Sequence, residues 1–452
     1  MNGDFYRDTF DAAKHFVRVL MQQGRVQPDA DWNEQAGIPA HYLHSLAADL
    51  IGPHGGPGNG FKISRLPAAT GQPLSDLGIA AGHYYVAGNL CENPAEAGDP
   101  GAAATYWTQR DYPVGREAGA LPQPPFLVYL DVWERLITVV EDPNLREPAP
   151  GGPDTCTRVQ LVWQVKVLPL MAPAVRVTGA KMTGFWRDIA GQALLLASPR
   201  KATLRARACS GDAVAGSGTK PGGNAQYLGE ENQLYRVEIH NGGASAPSFK
   251  WSRTNSPVVF PITKLRGTDV QVAFPHKLES GLRCGDWVEV VDDDDVLLGQ
   301  AAPLLQVQAI DFSTGIVALS GKASVEADSP ASKYPLLRRW DGWQPIGKPS
   351  PAGSMSWLDL EDGIQVQFGA EGVYCTGDYW LIPARAATGD IMWPTDQSKP
   401  AGNDLNDRPC PAALPPVGVK HHHAPLSVLL QQKSGKVIPL DLRRVFKPLA
   451  AG

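Results

Sequence analysis

The stretch "TRVQLVWQVKV", residues 157–167, alternates. Val159, Leu161, Trp163, Val165 and Val167 fall on one side, and Arg158, Gln160, Gln164 and Lys166 fall on the other. A period of two is the pattern of a strand with one face on a core, and it excludes a helix over those residues. "FLVYLDVWERLITVV" is instead a continuous apolar run containing Leu130 and Val132, which predicts a central strand buried on both faces. "GHYYVAGNLCEN" reads as a strand, a turn at Ala87-Gly88-Asn89 and a second short strand. With 47 glycines and 40 prolines in 452 residues, turn-forming positions are abundant enough to divide the chain into many short strands.

Helical periodicity is clearest in residues 1–55, read as an N-terminal helical arm. From Trp32, a stripe of Trp32, Ala36, Pro39, Leu43, Leu46 and Leu50 recurs at spacings of four and three. That is the a/d pattern of a helix packed along one seam. Gly52-Pro53 ends it. Gly37 and Pro39 interrupt the pattern, so the helix either kinks there or begins near Pro39. Residues 56–200 form a first β domain in this reading. A small-residue loop over 201–225 separates it from a small barrel or sandwich over 226–335. Residues 336–452 form a last β segment that could complete the first β domain. The fold class is therefore mainly β: a helical arm followed by two or three sandwich or small-barrel modules.

"GRVQPDADWNEQ", residues 24–35, tests two kinds of chemistry. Asp29, Asp31 and Asn33 fit the first positions of a calcium loop. The required glycine is Glu34 and the required final glutamate is Ala40, so the match fails where the turn and the bidentate ligand are needed. Asp31 with Glu34 three residues later reads instead as a helix-capping pair. "GDAVAGSG" lacks the lysine of a phosphate loop. The run Asp292 to Asp295 reads as a solvated acidic turn between strands, ahead of a calcium site. In "HHHAPLSVLL", only His421 and His423 share a strand face, and zinc would need further ligands that the sequence does not identify. The expectation is no metal and no cofactor, with His421 and His423 as the candidates should a metal bind. Carboxylates such as Asp131, Glu361 and Asp378, and tryptophans such as Trp340, Trp343 and Trp380, leave a carbohydrate groove open as an alternative. Six cysteines at 91, 156, 209, 284, 375 and 410 form no close pair and read as buried small hydrophobes.

A formal net charge of -5 offers no basic surplus for nucleic acid. No apolar run reaches the length of a membrane span, and the first residues lack the basic and apolar regions of a secretory signal. Assembly in the cytoplasm is the expectation.

The segments "GDFYRDTFDAAKHFVRVLMQQGRVQPDADWNEQ", "LHSLAADLIGPHGGPGNGF", "GHYYVAGNLCEN", "EDPNLREPAPGGPDTCTRVQLVWQVKV", "ENQLYRVEIHNGG" with "FKWSR", "GDYWLIPARAATGDIMWP", and "HHHAPLSVLL" with "DLRRVFKPL" run from one end of the chain to the other. Together they resemble an uncharacterised bacterial family, a domain of unknown function encoded among the baseplate and tail genes of phage-tail-like contractile injection systems. The resemblance carries no catalytic residues. It implies a non-enzymatic structural part, baseplate-associated or fibre- or spike-like, whose partners are other contractile-tail or baseplate proteins. A homo-oligomer, a trimer for a fibre-like part, is also expected. Attachment or oligomerisation would fall to Trp32, Ala36, Leu43, Leu46 and Leu50. The alternatives are a carbohydrate-binding or carbohydrate-cleaving spike, or a cargo protein of the particle.

Overall fold

The computed structural model describes residues 1–4, 9–66, 74–95, 104–113, 120–148, 154–171, 181–198, 200–209, 226–243, 246–273, 281–325, 333–350, 353, 355–398 and 410–447. The loop "GDAVAGSG" lies outside them. The chain is mainly β and divides into two interleaved units. One contains 1–8, 136–158 and 200–419, and the other 9–135, 159–199 and 420–452.

In the first unit, a closed six-stranded barrel takes its strands in the order Val259–Arg266, Asp269–Val272, Ile316–Leu319, Leu304–Asp311, Trp287–Val291 and Leu336–Trp340. Alternate valines and leucines, among them Val270, Val272, Val288, Val290, Val317 and Leu319, fill it. A five-stranded sheet runs Gly342–Pro345, Ser248–Ser252, Gln233–Asn241, Tyr379–Arg385 and Asp390–Ile391. A three-stranded sheet runs Leu358–Asp359, Ile364–Phe368 and Leu204–Ala208. These two sheets share one core, in which Tyr235, Val237, Ile239, Phe249 and Trp380 meet Leu204, Val366 and Phe368. The fully buried Trp340 and Trp380 are therefore core residues. The acidic run departs from its expected turn. Asp293–Leu298 is a short helix, and Asp292 caps it by accepting from Asp294 N–H at 3.0 Å and Asp295 N–H at 3.2 Å. Successive aspartates at a helix start face the positive end of the dipole, which stabilises helix over turn.

In the second unit, a four-stranded sheet runs Val437–Asp441, His422–Gln431, Phe126–Ile137 and Arg158–Pro169. Phe126–Ile137 is central and buried on both faces. Phe126, Val128, Leu130 and Val132 enter one core with Val165, Ala424 and Leu426. Leu127 and Tyr129 enter another, with Trp186, Ala190 and Leu194 of the helix Lys181–Ala197. That helix corrects the expectation that only residues 1–55 are helical. Met182, Phe185, Trp186, Ile189, Ala190 and Leu194 carry a period near 3.6 on the stripe that covers the sheet. A second four-stranded sheet contains Val445–Phe446, His54–Pro57, Gly82–Val86 and Asn89–Asn93. Its hairpin turn is Ala87-Gly88, both at positive φ (49° and 83°), the conformation a two-residue hairpin requires. Of the six cysteines only Cys91 is buried; Cys156 and Cys284 are exposed and the other three lie between. The expected burial fails for them because they sit in turns and strand ends and not on core faces.

The helix Asp29–Ile51 runs unbroken through Gly37 and Pro39 for about 34 Å. Ala30 and Ile38 are its buried residues. Gly37 packs closely on Phe10: a Cβ there would stand 3.2 Å from the ring, which would have to give by a few tenths of an ångström.

Candidate functional site

Two places in the second unit stand out. The first is the outer face of Asp29–Ile51. Its buried side carries Ala30 and Ile38, and the carbonyl of His44 approaches the Ala87-Gly88 turn so closely that a Cβ on Gly88 would lie 2.2 Å from it. The seam residues point the other way. Trp32 is 77% exposed, Leu43 65%, Leu46 56% and Leu50 78%, with Ala36 and Pro39 exposed between them. The structure thus brings all five proposed attachment residues onto one solvent-facing stripe. Sequence periodicity located the stripe but not its direction, because the inward face is carried by Ala30 and Ile38, which stand off the repeat.

The capping pair is corrected. The helix starts at Asp29, with Pro28 before it (φ -74°, ψ 153°) and no side-chain cap bond. Asp31 therefore lies inside the first turn. Proline's fixed φ sets the entry, and Asp29 and Asp31 act on the helix dipole. Glu34 is engaged elsewhere, accepting from the Thr9 hydroxyl.

The second place is built on Asp131, a lone carboxylate in the apolar centre of Phe126–Ile137. Alternation puts Asp131 on the face of Leu127 and Tyr129. Its cross-strand partner is His423, and His421 lies on the same face one pleat further. His421 Nδ1 is 2.8 Å and His423 Nε2 3.2 Å from the same oxygen, Oδ1 of Asp131. From the opposite neighbouring strand, Lys166 Nζ donates to Oδ2 at 2.7 Å. The Trp133 ring stacks on His421 at 4.9 Å and lies 5.3 Å from the Lys166 ammonium. Burial alone would raise the Asp131 carboxyl, but hydrogen bonds from both imidazoles and the charges of His421 and Lys166 pull it far below the ordinary carboxylate range. The helix Lys181–Ala197 ends beside the cluster, where Ser198 Oγ is 3.1 Å from His423 Nδ1. His421 and His423 also line a cavity of about 460 Å³ with Ser198, His54, Arg187 and Arg444.

Sequence reasoning found the two histidines and missed how Asp131, Lys166 and Ser198 complete them. A charge inside the buried, otherwise apolar first eight residues of Phe126–Ile137, ahead of the more exposed Glu134 and Arg135, was the available signal for Asp131. Ser198 carried none, since its place depends on where an unrecognised helix ends.

The exposed helical seam and the buried Asp131 cluster do not by themselves define an enzyme class. A family match covers residues 1–221 and 221–435, and the chain belongs to a family of unknown function, DUF6519. No curated protein and no solved structure matches it.

Proposed function

We propose that this protein is a non-enzymatic structural component of a phage-tail-like contractile injection system, assembled in the cytoplasm, which docks onto a helix of a neighbouring baseplate or tail subunit through Trp32, Ala36, Leu43, Leu46 and Leu50. One observation carries the reading: large apolar side chains at coiled-coil spacing are exposed along a rigid helix. Isolated exposed leucines are ordinary, but a continuous stripe of them marks an interface. The 4-3-4-3-4 spacing from Trp32 to Leu50 fits a partner that is itself a helix, over about 27 Å of contact. The exposed Phe16, Val17, Leu20 and Met21 of the preceding segment add apolar surface to the same N-terminal region.

The test is the double substitution Leu43→Glu and Leu46→Glu in the full chain. The expected outcome is unchanged thermal stability with loss of the chain from purified particles. Full occupancy of the variant in the particles would overturn the reading.

A further inference from the structure

We infer that Asp131, His421 and His423 form a binding site for a divalent transition metal of the zinc class. This inference stands independently of the docking role. The donor set is two imidazole nitrogens and one carboxylate oxygen, and the three ligand atoms lie within 4.8 Å of one another. Two imidazoles and a carboxylate select borderline metals such as zinc over calcium or magnesium, which prefer all-oxygen sets. A tetrahedral zinc holds its ligand atoms about 3.3 Å apart, given metal–ligand bonds of about 2.0–2.1 Å. The observed separations of 2.8 Å and 3.2 Å from Asp131 Oδ1 lie within about half an ångström of that.

The surroundings are those of a built site. Ligation by Nε2 of His423 requires the remaining imidazole proton on Nδ1, and Ser198 Oγ stands 3.1 Å away to accept it. Lys166 occupies Oδ2, so Oδ1 is the oxygen left to the metal, and the carboxylate is fixed as a one-oxygen ligand. The Trp133 ring stacks on His421 with 4.9 Å between centroids and 30° between planes, and so packs against one side of the imidazole. The two histidines form part of the wall of the 460 Å³ cavity, which gives a metal its entry path and leaves room for a fourth ligand from water.

The experiment is a titration of the full, chelator-treated chain with zinc sulfate, read against a competing chromophoric chelator and repeated with cobalt(II) for its visible spectrum. One zinc per chain and a tetrahedral cobalt spectrum are expected. His421→Ala, at a side chain 37% exposed, and His423→Ala are each expected to weaken binding by at least about 100-fold. Ser198→Ala, at an exposed position, is expected to weaken it by about 10-fold, as loss of a partner to a ligating histidine does. His422→Ala, outside the ligand set, should leave it unchanged. The last two readings hold even if a ligand substitution unfolds the chain, because Ser198 and His422 belong to none of the hydrophobic cores. Absence of zinc binding up to about 100 µM by the unsubstituted chain, or binding that His421→Ala and Ser198→Ala leave intact, would overturn the inference.

Discussion

Burial of ionisable side chains gives the sharpest consequences at the scale of single residues. His54 is buried, and its imidazole is pushed down to about 4, first by burial and then by the charges of Arg444 and Arg187. Tyr84 hydroxyl accepts from Arg444 N–H at 3.2 Å and is left to donate to His54 Nδ1 at 3.0 Å, an arrangement that holds the neutral ring. On acidification the unfolded chain takes up the proton near pH 6.5 while the folded chain does not until about pH 4. Stability from this residue is complete above pH 6.5 and falls as pH drops through that window. His54→Phe keeps the contact with the Tyr84 ring and removes the titration. Its urea-unfolding free energy should vary less between pH 6.5 and pH 4, by about 2 kcal/mol, than that of the unsubstituted chain. An equal slope would show that His54 does not titrate differently on folding. In the other unit, Lys250 bridges two buried carboxylates, Glu289 at 2.5 Å and Glu238 at 3.2 Å, with Arg236 on Glu238 at 2.5 Å. Burial would raise Glu238, but Arg236 and Lys250 hold it down at about 2. Lys250→Met takes from Glu289 the ammonium it now touches. The expected loss is about 3–5 kcal/mol in denaturant unfolding, and adding Glu289→Gln should recover part of it.

At the scale of elements, the helix Asp29–Ile51 separates what sequence pattern can say from what it cannot. Its existence, its end at Gly52 and the membership of its stripe were legible, because each rests on local spacing and local backbone chemistry. Its inward face was not, because the burial of Ile38 and Ala30 depends on tertiary packing, such as that of Phe10 on Gly37 and of the Ala87-Gly88 turn on His44. Prediction from this asymmetry is direct. Ile38→Ala should cost about 2–4 kcal/mol in thermal or urea unfolding, since it leaves a cavity at a residue only 1% exposed. Leu46→Ala and Leu50→Ala, on the exposed stripe, should each change stability by less than about 0.5 kcal/mol. If the two exposed leucines cost as much as Ile38, the stripe is not a free surface in the isolated chain. The cap at Asp292 makes the same point in reverse. Sequence reasoning assigned a capping pair to Asp31 and Glu34 and a turn to Asp292–Asp295, and the reciprocal bonds form at the second place. Pro28 removes the need for the first, whereas "DDDDVLLG" carries its own start and its Gly299 stop, at φ 64°. The His–Asp cluster was half legible for a similar reason. Strand alternation pairs His421 with His423, but only the register between distant strands brings Asp131 between them and Lys166.

At the scale of the whole molecule, each unit is assembled from three separate segments, so the chain passes between units five times. The last passage is the most demanding. Residues after Val419 supply His422–Gln431, the strand next to Phe126–Ile137, and also Val437–Asp441 and Val445–Phe446. Removing them takes Ala424, Leu426 and Leu429 from one core and Val428 and Leu442 from the other. At about 2–5 kcal/mol for each of the four large apolar side chains, the loss is as large as the roughly 5–15 kcal/mol of net stability a domain has. It also bares the long edge of Phe126–Ile137, an open template for aggregation. A chain ending at Val419 should therefore lose amide protection throughout Phe126–Ile137 and Arg158–Pro169. The barrel and the strand Gln233–Asn241 should stay protected, since all their pairing partners lie before Val419. Hydrogen exchange followed by peptide mass spectrometry reads both outcomes in one experiment. Protection retained in Phe126–Ile137 would mean that the sheet closes without its C-terminal strands, and the interleaving would then be a path of the chain and not a condition of its stability.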